Sequence, residues 1–280
     1  MITATFPAMG TTIEVRATGA HGVRAAARLF EDVEETASRF RTDSELSRIN
    51  ANPTPTMELS PLMTEVVQAA DRMRLLTDGI VDAGVGQAVR DWGYVTTYSE
   101  VRDLETAPAS SAIGGWHLED NRLTRSPGTL LDLGGVAKGW TCDRAVETGL
   151  ATTASAGGDL RSADPDTVAE VLDPWGEVAT VIHVGVGALA TSSTTRRAWS
   201  VQGRRAHHLI DPRTRAPSTS PVLSATALTT TAVEAEAAAK AVLLLGADGL
   251  AWADRQPWIR AAVAIWTDGA VYATGLEAAA

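Results

Sequence analysis

The sequence predicts an α+β fold, with helices packed on antiparallel sheets in one continuous unit. Three observations carry this. Short runs of β-branched or apolar residues recur along the chain and are bounded by glycine turns. Residues 20–39, 61–77 and 231–245 instead show helical spacing or helix start signals. The strand-like runs gather, five of them between residues 168 and 228, rather than alternating with helices.

In chain order, residues 2–6 and 12–16 form a hairpin about Met9-Gly10-Thr11. Residues 20–39 are an amphipathic helix, with Val23, Ala26, Ala27, Phe30 and Val33 on one face. Residues 39–50 are polar and read as a loop, with Ser44 capping a short turn. Ser60-Pro61 opens a helix that runs to Thr77, with proline at its first position. Residues 79–93 give a short strand and then a helical turn ending at Trp92-Gly93. Residues 96–112 are weakly patterned. A hairpin covers 116–124 through Glu119-Asp120-Asn121, and a strand over 129–133 runs into Gly134-Gly135. A helix over 136–148 and a strand over 152–155 follow, the latter ending at Gly157-Gly158. Strands are expected at 168–172, 178–184, 188–191, 207–210 and 223–228. The helix 231–245 stops at Gly246. A short helix over 249–255 and a hairpin of 261–266 with 270–274 close the chain.

Composition narrows the function classes. At 280 residues, 45% apolar and 21% charged, the chain can bury a core without staples. One cysteine, Cys142, excludes an intramolecular disulfide and a zinc site of several thiolates. A net charge of −10 argues against nucleic-acid binding through a general basic field. The apolar runs are too short to span a bilayer. The opening MITATFPAMG has no basic start, apolar core or cleavage site, so a cytoplasmic protein is expected. Of 24 basic residues only Lys138 and Lys240 are lysine. Each marks a place where a compact ammonium is needed rather than a planar fork.

Four places could carry chemistry, one of them Gly157-Gly158-Asp159, a second glycine pair after a strand for which a tight turn is the equal reading. In Leu131-Asp132-Leu133-Gly134-Gly135-Val136-Ala137-Lys138-Gly139 a strand ends in a carboxylate, two glycines admit a ligand, and a helix start offers amides beside a lysine. That is anion-site construction, without the pattern of a phosphate loop or of a dinucleotide fingerprint. His207-His208-Leu209-Ile210-Asp211-Pro212 could pair His208 as base with Asp211 as orienter; a structural histidine pair is the other reading. Glu236 and Lys240 share a face of a helix that is otherwise nearly all apolar. The pair is therefore buried and points to a site, although a surface ion pair is the plainer alternative.

Taken in order, these motifs resemble the ApbE family, the FAD:protein FMN transferases. Met9-Gly10-Thr11 is similar to the family's N-terminal MGT. Ser38-Arg39-Phe40-Arg41-Thr42-Asp43-Ser44-Glu45-Leu46-Ser47-Arg48-Ile49-Asn50 is similar to its S-x-[YF]-x-x-[DE]-S-[ED]-[LI]-S-x-[LI]-N segment. Val81-Asp82-Ala83-Gly84-Val85-Gly86 through Trp92-Gly93, LDLGGVAKGW with Asp143, Ala156-Gly157-Gly158-Asp159, Thr191-Ser192-Ser193 and His208-Leu209-Ile210-Asp211-Pro212-Arg213-Thr214 match further family stretches. Six or more motifs in the right order cover almost the whole chain.

The resemblance implies a single ApbE-like, T-fold-like domain over 1–280 with an FAD cleft. It implies transfer of FMN from FAD to a Ser or Thr hydroxyl of a target protein, with AMP released and Mg²⁺ as cofactor. It implies FAD contacts at Met9, Phe40, Ile80, Val81, Asp82, Asp132, Lys138 and Ile210, and a metal held by the Gly135 carbonyl and by Glu236. His208, Asp211 and Lys240 are the catalytic candidates. Counting back from Gly246 puts Glu236 at the family's metal-binding Asp and Lys240 at its Thr. A charged lysine offers a metal no lone pair. Ser193 and Thr195 also depart from the family pattern. The alternatives are an FAD-binding relative with an altered metal site and little transfer, and a pyrophosphatase giving FMN and AMP.

Overall fold

Period-two burial sets the main sheet. In the strand Thr11–Ala17, Ile13, Val15 and Ala17 are buried while Thr12, Glu14 and Arg16 face out. The computed structural model describes residues 1–108 and 113–276, so the weakly patterned stretch 96–112 ends outside the described residues. Contacts gather the chain into two units. The first takes Met1–Glu31, Lys138–Thr195 and Ser220–Ala280; the second takes Asp32–Ala137 and Arg196–Thr219.

The first unit is built on an antiparallel sheet of eight strands. Their order across the sheet is Ile2–Ala8, Thr11–Ala17, Thr153–Ala156, Asp159–Ser162, Gly187–Ser193, Val222–Thr229, Ala261–Trp266 and Val271–Thr274. The helices Ala137–Glu147 and Ala232–Leu245 pack in the same unit. Its core joins Ile13, Val15, Phe30 and Cys142 to many alanines, among them Ala145, Ala154, Ala188, Ala190, Ala232 and Ala235. Side chains that small let helix and sheet backbones approach closely. In Ala232–Leu245 every residue from Ala232 to Leu244 is buried except Lys240. A helix apolar on all sides is a core helix.

The second unit holds the helices Glu45–Ala51, Pro61–Leu76 and Gly86–Asp91. A three-stranded sheet has Arg122–Arg125 between Thr56–Glu58 and Trp116–Glu119. Two small ribbons, Ala198–Val201 with Arg204–His207 and Ile210–Asp211 with Ala216–Pro217, complete it. Ala88, Val89, Tyr94, Trp199, Val201, Ala206 and Ile210 form one core cluster there.

The α+β class and the antiparallel sheets are as the sequence predicts. Four local expectations are corrected. Residues 45–51 are a helix rather than a loop, because the Ser44 hydroxyl accepts from the Ser47 amide and caps it. No strand forms near residue 80; Asp82 instead accepts from the Gly84 amide and starts a short 3₁₀ turn, Ala83–Val85. Among the described residues, 129–133 form no strand. The Asn50 side chain donates to the Leu131 carbonyl at 2.8 Å and accepts from its amide at 2.9 Å, while the Gly86 amide donates to the Leu130 carbonyl and the Asp132 amide to the Ala83 carbonyl. The stretch 207–210 is broken after His207, whose Nδ1 accepts from the Leu209 amide. Among the described residues, no helix is long and apolar enough to cross a membrane.

Candidate functional site

The two lysines of the chain meet at one pair of carboxylates. Gly157 and Gly158 turn the chain at φ +63 and +125, conformations that L side chains rarely adopt, and so place Asp159 at the start of its strand. Lys138, in the first turn of Ala137–Glu147, sets its Nζ 3.7 Å from Asp159 Oδ2. Lys240 donates to Glu236 Oε1 at 2.6 Å across one helical turn. All four side chains are shielded, with exposures of 11%, 3%, 13% and 7% for Lys138, Asp159, Lys240 and Glu236. Burial, then the Glu236 charge, pushes the Asp159 carboxyl up to about 7; Lys138 and Lys240 pull it back down. The four residues thus form one ionic group of two ammoniums and two carboxyls, in which Asp159 is ionised only above about pH 7.

A second contact fixes the helices that carry it. Asp143 accepts from the Ala232 amide at 2.7 Å and the Val233 amide at 3.0 Å. It therefore caps the same helix start that Thr231 and Glu234 close as a capping box. Arg161 lies 3.4 Å from Asp143. Gly139, one helical turn before Asp143, makes this approach feasible: a Cβ there would lie 3.1 Å from the Ala232 carbonyl carbon and oxygen. The spacing K-G-x-x-x-D is thereby explained as one helix face pressed against a helix start. Burial raises the Asp143 carboxyl to about 6, against the opposing pull of the two amides and Arg161.

The second unit carries a stacked platform. The Arg39 guanidinium lies 4.1 Å from the Phe40 ring centroid and 4.4 Å from that of Tyr94. Arg39 also bonds Asp132 Oδ2 through Nε at 3.1 Å and the Tyr94 carbonyl through Nη1 at 2.6 Å. Its Nη2 is buried and has no hydrogen-bond partner among the described residues. Phe40 stays 38% exposed. Asp82 is held by the Trp116 indole at 2.7 Å. Val81 and Ile210 are buried, and Ile80 is half-buried.

Two further expectations meet structural detail. The amides expected to be open at Gly134 to Ala137 are mostly taken: Gly134 donates to Asp132 Oδ1, and Val136 and Ala137 donate to the Leu133 carbonyl. Asp211 turns both oxygens to Arg213, with contacts of 2.7 to 3.2 Å. Burial alone would raise its carboxyl, but Arg213 outweighs burial and holds it below the ordinary value. His208 is half-buried, its ring 6.3 Å from Tyr94. His207 is buried; Nδ1 accepts from Leu209, so Nε2 donates to the Ser218 carbonyl at 2.9 Å. Burial lowers it to about 4 and keeps it neutral.

Lys138, Lys240 and Glu236 are therefore brought together in the first unit, which also holds Met9, at φ +52 in the hairpin turn. Phe40, Ile80, Val81, Asp82, Asp132, Gly135, His208, Ile210 and Asp211 belong to the second. Sequence reasoning left Asp159 evenly between a site and a tight turn, and gave Arg39, Tyr94 and Asn50 no role of their own. A carboxylate directly after a glycine pair that ends a strand was the available signal for Asp159. The side chains do not suit the divalent metal that the resemblance implies. An ammonium occupies Glu236, and no group of three His, Cys, Asp or Glu able to hold a metal occurs among the described residues.

A family model described as the ApbE family matches residues 9–263. An FAD:protein FMN transferase of Vibrio cholerae is 29% identical over 289 residues, covering 89% of this chain and 83% of that protein. The crystal structure of the ApbE protein of Thermotoga maritima is similar at a TM-score of 0.83 and 26% identity, over 97% of this chain and 96% of that one. The flavin transferase ApbE of Vibrio cholerae gives 0.80 and 26%, over 98% and 96%.

Proposed function

The chain belongs to the ApbE family, and we propose that it is an FAD:protein FMN transferase acting as one domain on FAD and an acceptor protein. The family match over residues 9–263 carries this reading. The physical chemistry of the two units supports it. A half-exposed aromatic ring backed by a guanidinium suits a flat base. Two ammoniums held in a shielded place suit the charge of a pyrophosphate. The same reading assigns to FAD Met9, Phe40, Ile80, Val81, Asp82, Asp132, Lys138 and Ile210. A cytoplasmic setting belongs to it too, in keeping with a single buried thiol, Cys142.

In the reaction a Ser or Thr hydroxyl of the acceptor attacks the phosphorus of the FMN half. A new P–O bond to the acceptor forms, and the bond to the AMP phosphate breaks. The hydroxyl proton goes to His208. Asp211 is the weaker base of the two, because Arg213 keeps it ionised and covers both its oxygens. Lys138 and Lys240 neutralise the charge that develops on the leaving phosphate. No step is routed through a metal.

Incubation with FAD and a candidate acceptor, followed by mass spectrometry, tests the reading. FMN attached to a Ser or Thr, with one AMP per transfer, is the expected result. Free FMN and AMP with an unmodified acceptor would make the protein a pyrophosphatase. Intact FAD with every acceptor would overturn the reading.

A further inference from the structure

We propose that Lys240 is a cation built into the protein, standing where a divalent metal is implied, so that this chain handles the FAD pyrophosphate without Mg²⁺. The proposal rests on the transferase reading for the identity of the ligand, but not for the state of the site itself.

Four observations carry it. The chain has two lysines among 24 basic residues; Lys138 lies 3.7 Å from Asp159, Lys240 bonds Glu236, and the charges of Lys138, Lys240 and Glu236 all act on Asp159. Lys240 bonds Glu236 at 2.6 Å with both side chains shielded, which is tighter and drier than a surface pair between successive helical turns. Two ammoniums already stand beside the two carboxylates, and burial raises Asp159 to about 7, so the group carries no excess negative charge at neutral pH. A divalent ion entering it would displace the Lys240 ammonium from Glu236 and would face two positive charges. Finally, Lys240 sits on a helix of small, closely packed residues. Ala235, Ala237, Ala238, Ala239 and Ala241 are fully buried around Lys240 on its helix. A slender four-carbon stem with a compact head suits that packing better than a guanidinium fork. This gives a physical reason for lysine here in a chain that uses arginine almost everywhere else.

An ammonium offers three donors and no open coordination sphere. It can neutralise phosphate oxygens by hydrogen bonding, and it cannot dissociate. Affinity for FAD then becomes insensitive to free Mg²⁺.

Calorimetry and FAD titration test this on the intact protein and on Lys240→Thr, which removes the charge and restores a hydroxyl. For the unaltered protein, MgCl₂ should give no saturable heat, and FAD affinity should be the same in Mg²⁺ and in EDTA. Lys240→Thr should gain saturable Mg²⁺ binding, with FAD affinity coupled to it by roughly the 5- to 150-fold usual for linked ligands. Saturable Mg²⁺ binding by the unaltered protein, or loss of FAD binding in EDTA, would overturn the proposal. A folded Lys240→Thr that gains no Mg²⁺ binding would overturn it as well. If Lys240→Thr does not fold by circular dichroism, the titrations of the unaltered protein decide alone. If FAD binds under no condition, the transferase reading falls, and the MgCl₂ titration still decides whether Lys240 holds the place of the metal.

Discussion

Arg39 Nε lies 3.1 Å from Asp132 Oδ2, and the same guanidinium lies against both Phe40 and Tyr94, whose ring centroids are 5.5 Å apart. One side chain thus fixes both a carboxylate and a ring assigned to FAD. Lysine at position 39 cannot bond Asp132 and the Tyr94 carbonyl while lying flat on two rings. Arg39→Lys should therefore weaken FAD binding by about 1–3 kcal/mol, the range of a charge-assisted bond together with a cation–π contact. Quenching of FAD fluorescence measures it. Unchanged affinity in a folded variant would reduce Arg39 to scaffolding.

Lys138→Ala should weaken FAD binding by roughly 1.5–3 kcal/mol. It also leaves Asp159 buried beside Glu236 with one cation fewer. Breaking a buried pair typically costs about 3–5 kcal/mol, so the melting temperature should fall too. An unchanged FAD affinity would remove Lys138 from the binding site.

Gly139→Ala adds a methyl 3.1 Å from two backbone atoms of Ala232. Backbone there must shift, and the two amide bonds to Asp143 lengthen with it. We expect a loss of about 1–3 kcal/mol in stability, as for overpacking. Denaturant midpoints check this, and a neutral result would mean that the helices can slide apart freely.

Asp143 makes a pH prediction. Its carboxyl is raised from 3.8 to about 6 in the folded protein. The folded state then binds more protons than the unfolded one across that interval, so this group's contribution to stability falls as pH rises from about 4 to about 6, by about 3 kcal/mol in all. Arg161 from the neighbouring strand and Glu147 on the same helix act on it from either side. His207, lowered to about 4, works in the opposite direction over nearly the same interval. The difference between the protein and Asp143→Asn removes that background. The variant should lose about 1–2 kcal/mol from the weakened helix cap and show a flatter pH profile. Parallel profiles for the two proteins would refute the assignment.

His208→Gln should leave FAD affinity near its original value and lower the transfer rate by roughly 10²–10⁴, the usual worth of a general base. A matching fall in affinity with no change in rate would place His208 among the binding residues instead.

Much of the fold was legible because burial follows period in this chain. The first hairpin and the helices at 20 and 232 announce themselves through spacing and caps. What stayed hidden was set by partners distant in sequence. Residues 129–133 read as a strand, yet their partners are the side chain of Asn50 and the backbone of Ala83 and Gly86. The rarity of lysine pointed to Lys138 and Lys240, but Asp159, on which both charges act, follows a glycine pair that read equally as a plain turn. Arg39 was invisible among 22 arginines, since only its two rings and Asp132 distinguish it.

The sheet order has a consequence for biosynthesis. The strand Thr11–Ala17 pairs on one side with Ile2–Ala8, which is made first, and on the other with Thr153–Ala156. At about 5–20 residues per second, the ribosome needs on the order of ten seconds to deliver that second neighbour. Throughout that delay the nascent hairpin displays an unpaired row of amides and carbonyls, with Ile13 and Val15 uncovered. The yield of native protein is then governed by translation speed through the intervening codons and by chaperones that cover strand edges, two factors that leave no trace in the finished molecule.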